Sequence, residues 1–184
     1  MSFALDYDKE DGNPDSPQTA IGVLRSQAKP YNKLPTPETY SAADKLAEKC
    51  AAFIKESKGY KAVDGIIPVP PREGKQYDLP TYIVNKISTE LGIENLSEMV
   101  KSNGDRRELK NVPLLEKLTE LEGTIEIVEP GNIRGRNILI IDDIYQSGVT
   151  MNYVGMLLME AGATRLFGLS CEKTCSNDDN VSRR

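Results

Sequence analysis

Two adjacent carboxylates, Asp142 and Asp143, follow the apolar run Ile138-Leu139-Ile140-Ile141 and stand just before Gln146-Ser147-Gly148-Val149-Thr150. The apolar run predicts a buried strand over 137–141, and the pattern from Thr150 to Ala161 predicts a helix. Residues 142–148 are then the loop between them. Backbone N–H groups at a helix N-terminus, joined by the hydroxyls of Ser147 and Thr150, suit a phosphate dianion. Carboxylates just upstream suit sugar hydroxyls and a developing positive charge. A site of this kind lies beyond the carboxyl end of a parallel strand, where open α/β sheets bind ligands. The chemistry so assembled is that of ribose 5-phosphate.

The elements that must hold this segment can be traced along the chain. A strand is expected over 166–170, and strand, helix and strand in that order imply a parallel sheet with a right-handed crossover. Residues 3–7 suggest a short strand, 19–27 either a strand or a short helix, and 38–57 a helix whose Leu46, Cys50, Phe53 and Ile54 share a face. A buried strand is predicted over 63–69, a polar turn over 70–75, a helix over 79–91 closed by Gly92, and β-segments over 96–100 and 124–128. Residues 101–117 suggest a long charged loop with a short helical turn, and the polar tail after Lys173 is expected to fray.

A chain of 184 residues, 39% of them hydrophobic, is long enough for one domain with a real core. The net charge of −5 argues against a broad nucleic-acid-binding surface but leaves room for a local basic pocket. No apolar run approaches the roughly 20 residues a membrane span needs. The N-terminus has no signal-peptide pattern, so a cytoplasmic protein is expected. Cys50, Cys171 and Cys175 are too few for a disulfide framework, and without histidine a thiolate metal site lacks ligands. The same absence removes Ser-His, Cys-His and HExxH mechanisms.

The 138–150 stretch resembles the 5-phosphoribosyl-1-pyrophosphate (PRPP) motif of type I phosphoribosyltransferases, and Tyr145 in its DDxYxSGxT setting is most similar to the ComF-like branch. Other stretches agree in chain order: Phe3-Ala4-Leu5-Asp6, Gly65-Ile66-Ile67-Pro68-Val69-Pro70-Pro71, Glu108-Leu109-Lys110-Asn111, and Gly162-Ala163 before an apolar strand. The resemblance implies one α/β domain over 1–184, a parallel twisted sheet flanked by helices. It carries a small hood from about 1–35 and 124–130 and a flexible tail over 174–184. It also implies transfer of phosphoribosyl from PRPP to a nitrogen nucleophile with release of pyrophosphate.

By that resemblance Asp142 and Asp143 are the catalytic carboxylates at the ribose hydroxyls, and neither is expected to belong to the core. Gln146, Ser147, Gly148, Val149 and Thr150 hold the 5′-phosphate. Pro71, Arg72, Glu73, Gly74 and Lys75 hold the pyrophosphate, and Lys110, with Arg106 and Arg107, lies in a loop that closes over the site. Mg²⁺ is expected mainly through PRPP itself, with Asp142 and Asp143 as candidate ligands, and a homodimer is plausible for the family. Tyr7, Tyr31, Tyr40 and Tyr77 are available to stack on an acceptor base, although ordinary packing explains each. Gln146, where Thr, Ser or Arg is commoner, and Glu73, where positive charge is expected, depart from the pattern and weaken the case for turnover more than for binding. Two alternatives stand beside the enzyme: a catalytically weak PRPP or nucleotide sensor of the same fold, and a receiver-like module using the acidic pair for Mg²⁺. The second fits poorly, because a receiver's acceptor Asp stands alone in mid-domain.

Overall fold

The structure, a computed structural model, describes residues 1–30, 34–72, 74–103 and 112–175. In chain order its elements are β1 (Ser2–Tyr7), α1 (Ala20–Ala28), α2 (Pro37–Glu56), β2 (Gly65–Pro68), α3 (Leu79–Leu91), β3 (Glu94–Asn95), β4 (Val100–Ser102), α4 (Leu114–Leu121), β5 (Ile125–Ile127), β6 (Asn137–Tyr145), α5 (Val149–Glu160) and β7 (Arg165–Lys173).

Period-two alternation builds the centre of the sheet. In β6, Leu139 and Ile141 join the core under α1, α2 and α3, while Ile138 and Ile140 join the core under α4 and α5. A strand buried on both faces needs a continuous apolar run, and that is why 138–141 has no polar residue. β6 pairs in parallel with β7 and with β2; β1 adds beyond β7 and β3 beyond β2. The result is a five-stranded parallel sheet in the order β1-β7-β6-β2-β3, flanked by helices as expected.

The helices start where side chains satisfy their first amides. Thr36 and Thr39 form a capping box for α2 with Pro37 in its first turn, and Asp78 caps α3 by accepting from the Thr81 N–H. Thr19 accepts from the Gly22 N–H and opens α1, so the ambiguous stretch 19–27 is a helix.

Four expectations change. Residues 142–145 are strand, not loop, because β7 continues beside them, pairing Asp142 with Ser170, Ile144 with Glu172 and Tyr145 with Lys173. Residues 2–7, placed in the hood by resemblance, are the edge strand of the main sheet. Residues 96–100 are mostly a 3₁₀ turn over Ser97–Met99, from which β4 starts and pairs antiparallel with β5. Thr174 and Cys175 are tied down rather than frayed, by hydrogen bonds from their N–H groups to the Tyr145 carbonyl and the Asp8 carboxylate.

The connections leave a crevice. From β2 the chain crosses through α3 outward to β3, and from β6 it crosses through α5 to β7 on the other side. The connections that leave the neighbours β2 and β6 therefore run in opposite directions from their carboxyl ends, the topological switch point at which open parallel sheets bind ligands.

Candidate active site

A cavity of about 190 Å³ opens at that switch point. One wall is the segment after β2, from Val69 through Pro71, Arg72 and Lys75; the other is the end of β6 and the start of α5, from Asp142 to Met151. Two stretches about seventy residues apart, matched separately from sequence, thus meet around one space. Glu73, Lys110, Arg106, Arg107 and Tyr31 lie outside the described residues.

The loop into α5 has the geometry its residue types call for. Gly148 stands at the N-cap of α5 with φ of 72°, a left-handed conformation that suits glycine, and it brings no capping side chain. The first helical hydrogen bond runs from the Asn152 N–H to the Gly148 carbonyl at 2.9 Å. The amides of Val149, Thr150 and Met151 precede it and have no acceptor within the helix. A Cβ on Gly148 would stand 2.3 Å from the Tyr145 hydroxyl, so Tyr145 folds back over the loop it precedes. Gln146, Ser147 and Thr150 are half-buried on the cavity wall.

On the facing wall, Gly74 turns the chain at φ of 79°, and the Ser102 hydroxyl donates to the Pro71 carbonyl at 2.5 Å, tying β4 to this loop. Arg72 and Lys75 line the cavity together with two cations that sequence reasoning missed, Lys29 at the end of α1 and Lys117 of α4. Lys117 is buried although Leu118 beside it is exposed, an inversion that periodicity does not foretell. Four cationic side chains therefore surround this cavity in a chain whose net charge is −5. Against them stand Asp78, Asp142 and Asp143; burial raises the pKa of Asp78, and burial with the adjacent Asp143 charge pushes Asp142 well above the usual carboxylate range.

The two adjacent carboxylates have different surroundings. Alternation carries Asp142 to the face of Ile138 and Ile140, and Asp143 to the face of Leu139 and Ile141, where α1 lies. Asp142 is half-buried and accepts the Asp143 N–H at 2.8 Å. Asp143 is buried and part of the core, which corrects the expectation that neither belongs to it. Its Oδ2 accepts from Arg25 Nε at 3.1 Å, Arg25 Nη2 at 3.0 Å and Lys29 Nζ at 2.5 Å. Burial alone would raise the Asp143 pKa; Lys29 and Arg25 override it and hold the carboxyl below its ordinary value. Arg25 also reaches Glu172, Nη1 to Oε1 at 3.5 Å, and burial there pushes the Glu172 carboxyl up to about 7. Arg25 lies in the last turn of α1 and Lys29 is its C-cap, so a helix over 19–27 would have placed both cations at one helix end.

Among the described residues no three of Asp, Glu and Cys converge on a cation position, and the oxygen of Asp143 that would serve is engaged by two protein cations. Of the tyrosines considered for base stacking, Tyr77 donates to the Ala28 carbonyl at 3.0 Å and packs with Tyr40 and Tyr82. Tyr7 lies under the Lys173 ammonium. Neither these nor Tyr40 lines the cavity.

No protein-family model matches the sequence, and no curated protein does. Solved structures do match the fold. A glutamine PRPP amidotransferase from B. subtilis, complexed with ADP and GMP, aligns with TM-score 0.54 and 17% identity over 88% of this chain and 34% of its own. This chain thus spans about a third of the amidotransferase. A hypoxanthine phosphoribosyltransferase from Staphylococcus aureus aligns with TM-score 0.46 and 11% identity, covering 77% of this chain and 68% of that one. A hypoxanthine-guanine phosphoribosyltransferase from L. donovani gives 0.44 and 13%, covering 71% and 67%. The fold is that of the type I phosphoribosyltransferases.

Proposed function

We propose that the chain binds PRPP in this cavity and transfers its phosphoribosyl group to a nitrogen nucleophile, releasing pyrophosphate, as a member of the ComF-like branch. One observation carries the reading: a helix N-terminus without a capping side chain and a cation-bearing turn face each other across one crevice, with Asp142 between them. PRPP has that layout, a phosphate at one end, a pyrophosphate at the other and ribose hydroxyls between.

In this reading the amides of Val149 and Thr150, with the Ser147 and Thr150 hydroxyls, hold the 5′-phosphate and so fix the position of C1′. The loop 70–75 holds the pyrophosphate, with Arg72 and Lys75 supplying charge. Asp142 meets the ribose hydroxyls; its raised pKa lets it act as donor or acceptor there. The nucleophile's lone pair forms the new C1′–N bond as the C1′–O bond to pyrophosphate breaks, and the nucleophile loses its proton to solvent. Catalysis rests on positioning and on stabilising charge at the leaving group. Any Mg²⁺ arrives on PRPP and not on carboxylates of the chain.

The ion-pairing of Asp143 favours a second reading, PRPP binding with slow or no turnover, since one carboxylate fewer faces a cationic ribose. One experiment separates the possibilities. PRPP at about 100 times its Kd should add about 2.7 kcal/mol of stability to the wild type, a rise in Tm of roughly 5–10 °C, and much less to Asp142→Asn. No rise in the wild type overturns the PRPP reading. A rise without pyrophosphate release across a panel of nucleobases selects the sensor.

A further inference from the structure

We propose that Lys29 is a substrate-contacting residue, held by Asp143 as its positioning residue, and that it neutralises the pyrophosphate of PRPP as a chain-held divalent cation would. The inference rests on the PRPP reading above and adds a role that no part of the resemblance assigns.

Three observations place Lys29 at the pyrophosphate end. First, Lys29 Nζ sits 2.5 Å from Asp143 Oδ2 while its side chain, 26% exposed, remains on the cavity wall. Second, Asp143 points to the face covered by α1, α2 and α3, opposite the face of α5 whose N-terminus forms the 5′-phosphate site. Third, the Tyr77 hydroxyl donates to the Ala28 carbonyl, so the residue just before Lys29 is fastened to the segment that continues the 70–75 loop.

The arrangement is built in and not a passing contact. Arg25, Asp143 and Glu172 are each less than 10% exposed, and α1 is locked onto the sheet end. The Thr19 hydroxyl donates to the Tyr7 carbonyl at 2.6 Å, and Gly22 lies so close to the Asp8 carbonyl that a Cβ would stand 2.5 Å from it. Arg25 holds Asp143 with a buried side chain away from the cavity lining, whereas Lys29 holds it from the cavity wall. The poor fit of these carboxylates to a metal follows from the same arrangement: the charge a metal would bring is already supplied by a lysine.

The test is calorimetric titration of PRPP and of ribose 5-phosphate, each in the presence of EDTA, on wild type, Lys29→Met and Lys29→Arg. Lys29→Met leaves the Arg25–Asp143 pair intact, and an unchanged thermal unfolding midpoint checks its fold. A charge-assisted hydrogen bond lost to PRPP should weaken its affinity roughly ten- to hundredfold. Ribose 5-phosphate has no pyrophosphate, so its affinity should change less than about twofold, and Lys29→Arg should recover most of the PRPP affinity. If both ligands weaken equally, or neither does, Lys29 is structural and the inference is overturned. If the wild type binds neither ligand in EDTA and no PRPP with Mg²⁺ restored, the PRPP reading itself fails.

Discussion

Glu172 should make the stability of this protein fall as the pH rises from 4.5 to about 7. It sits on β7 between Asp6 of β1 and Ile144 of β6, is buried, and has one oxygen, Oε2, with no hydrogen-bond partner among the described residues. Its other oxygen is 3.5 Å from Arg25, whose guanidinium is already turned to Asp143, so the attraction does not offset the desolvation. The carboxyl moves from 4.5 to about 7. Between about pH 4.5 and 7 the folded chain keeps a proton that the unfolded chain has released. Raising the pH through that window therefore favours unfolding, and the loss is complete above the folded value. At about 1.4 kcal/mol per pKa unit, the loss is about 3 kcal/mol.

The perturbation is Glu172→Gln, which keeps the shape and stays neutral. Urea unfolding of both proteins from pH 4.5 to 8.5 should give nearly parallel stabilities at the acid end. A gap should open to about 3 kcal/mol in favour of the variant above pH 7.5. Asp142, whose pKa is also raised, titrates in both proteins and drops out of the difference. Curves that stay within about 0.5 kcal/mol of each other across the range would refute the argument that burial governs Glu172, since that is the ordinary effect of a surface substitution.

Two glycines test the geometry more locally. Gly148→Ala puts a side chain at a φ of 72° and against the Tyr145 hydroxyl, so about 1–3 kcal/mol of stability should go, and ribose 5-phosphate affinity with it; intact affinity by calorimetry would remove the loop from the site. Gly22→Ala should gain up to about 1 kcal/mol from helix propensity. The approach to the Asp8 carbonyl predicts a net loss in urea unfolding instead, and a net gain would show that α1 is not held against the strand end.

Much of the frame was legible because it rests on strong local signals. An apolar run with no polar break announced β6, Gly92 with its left-handed φ closed α3, and Ser147-Gly148-Val149-Thr150 marked the turn that opens α5. What stayed hidden depended on partners distant in the chain. Nothing in the sequence around Arg25 and Lys29 says that these two cations will meet a carboxylate more than a hundred residues on. Lys117 is buried by the packing of α4 and not by its own pattern.

The most consequential difference comes from where β6 ends. Asp disfavours strands, and reading 142–148 as a loop let both carboxylates face one ligand. In the structure β7 runs on through Glu172 and Lys173, and its ladder keeps 142–145 extended against that local preference. Once the segment is strand, the pleat decides: neighbours in sequence become opposites in space. Asp142 then turns to the face of Ile138 and Ile140, and Asp143 to the face where α1 lies. The acidic pair therefore stands as two single groups, one accepting the Asp143 N–H beside the cavity and the other holding a lysine.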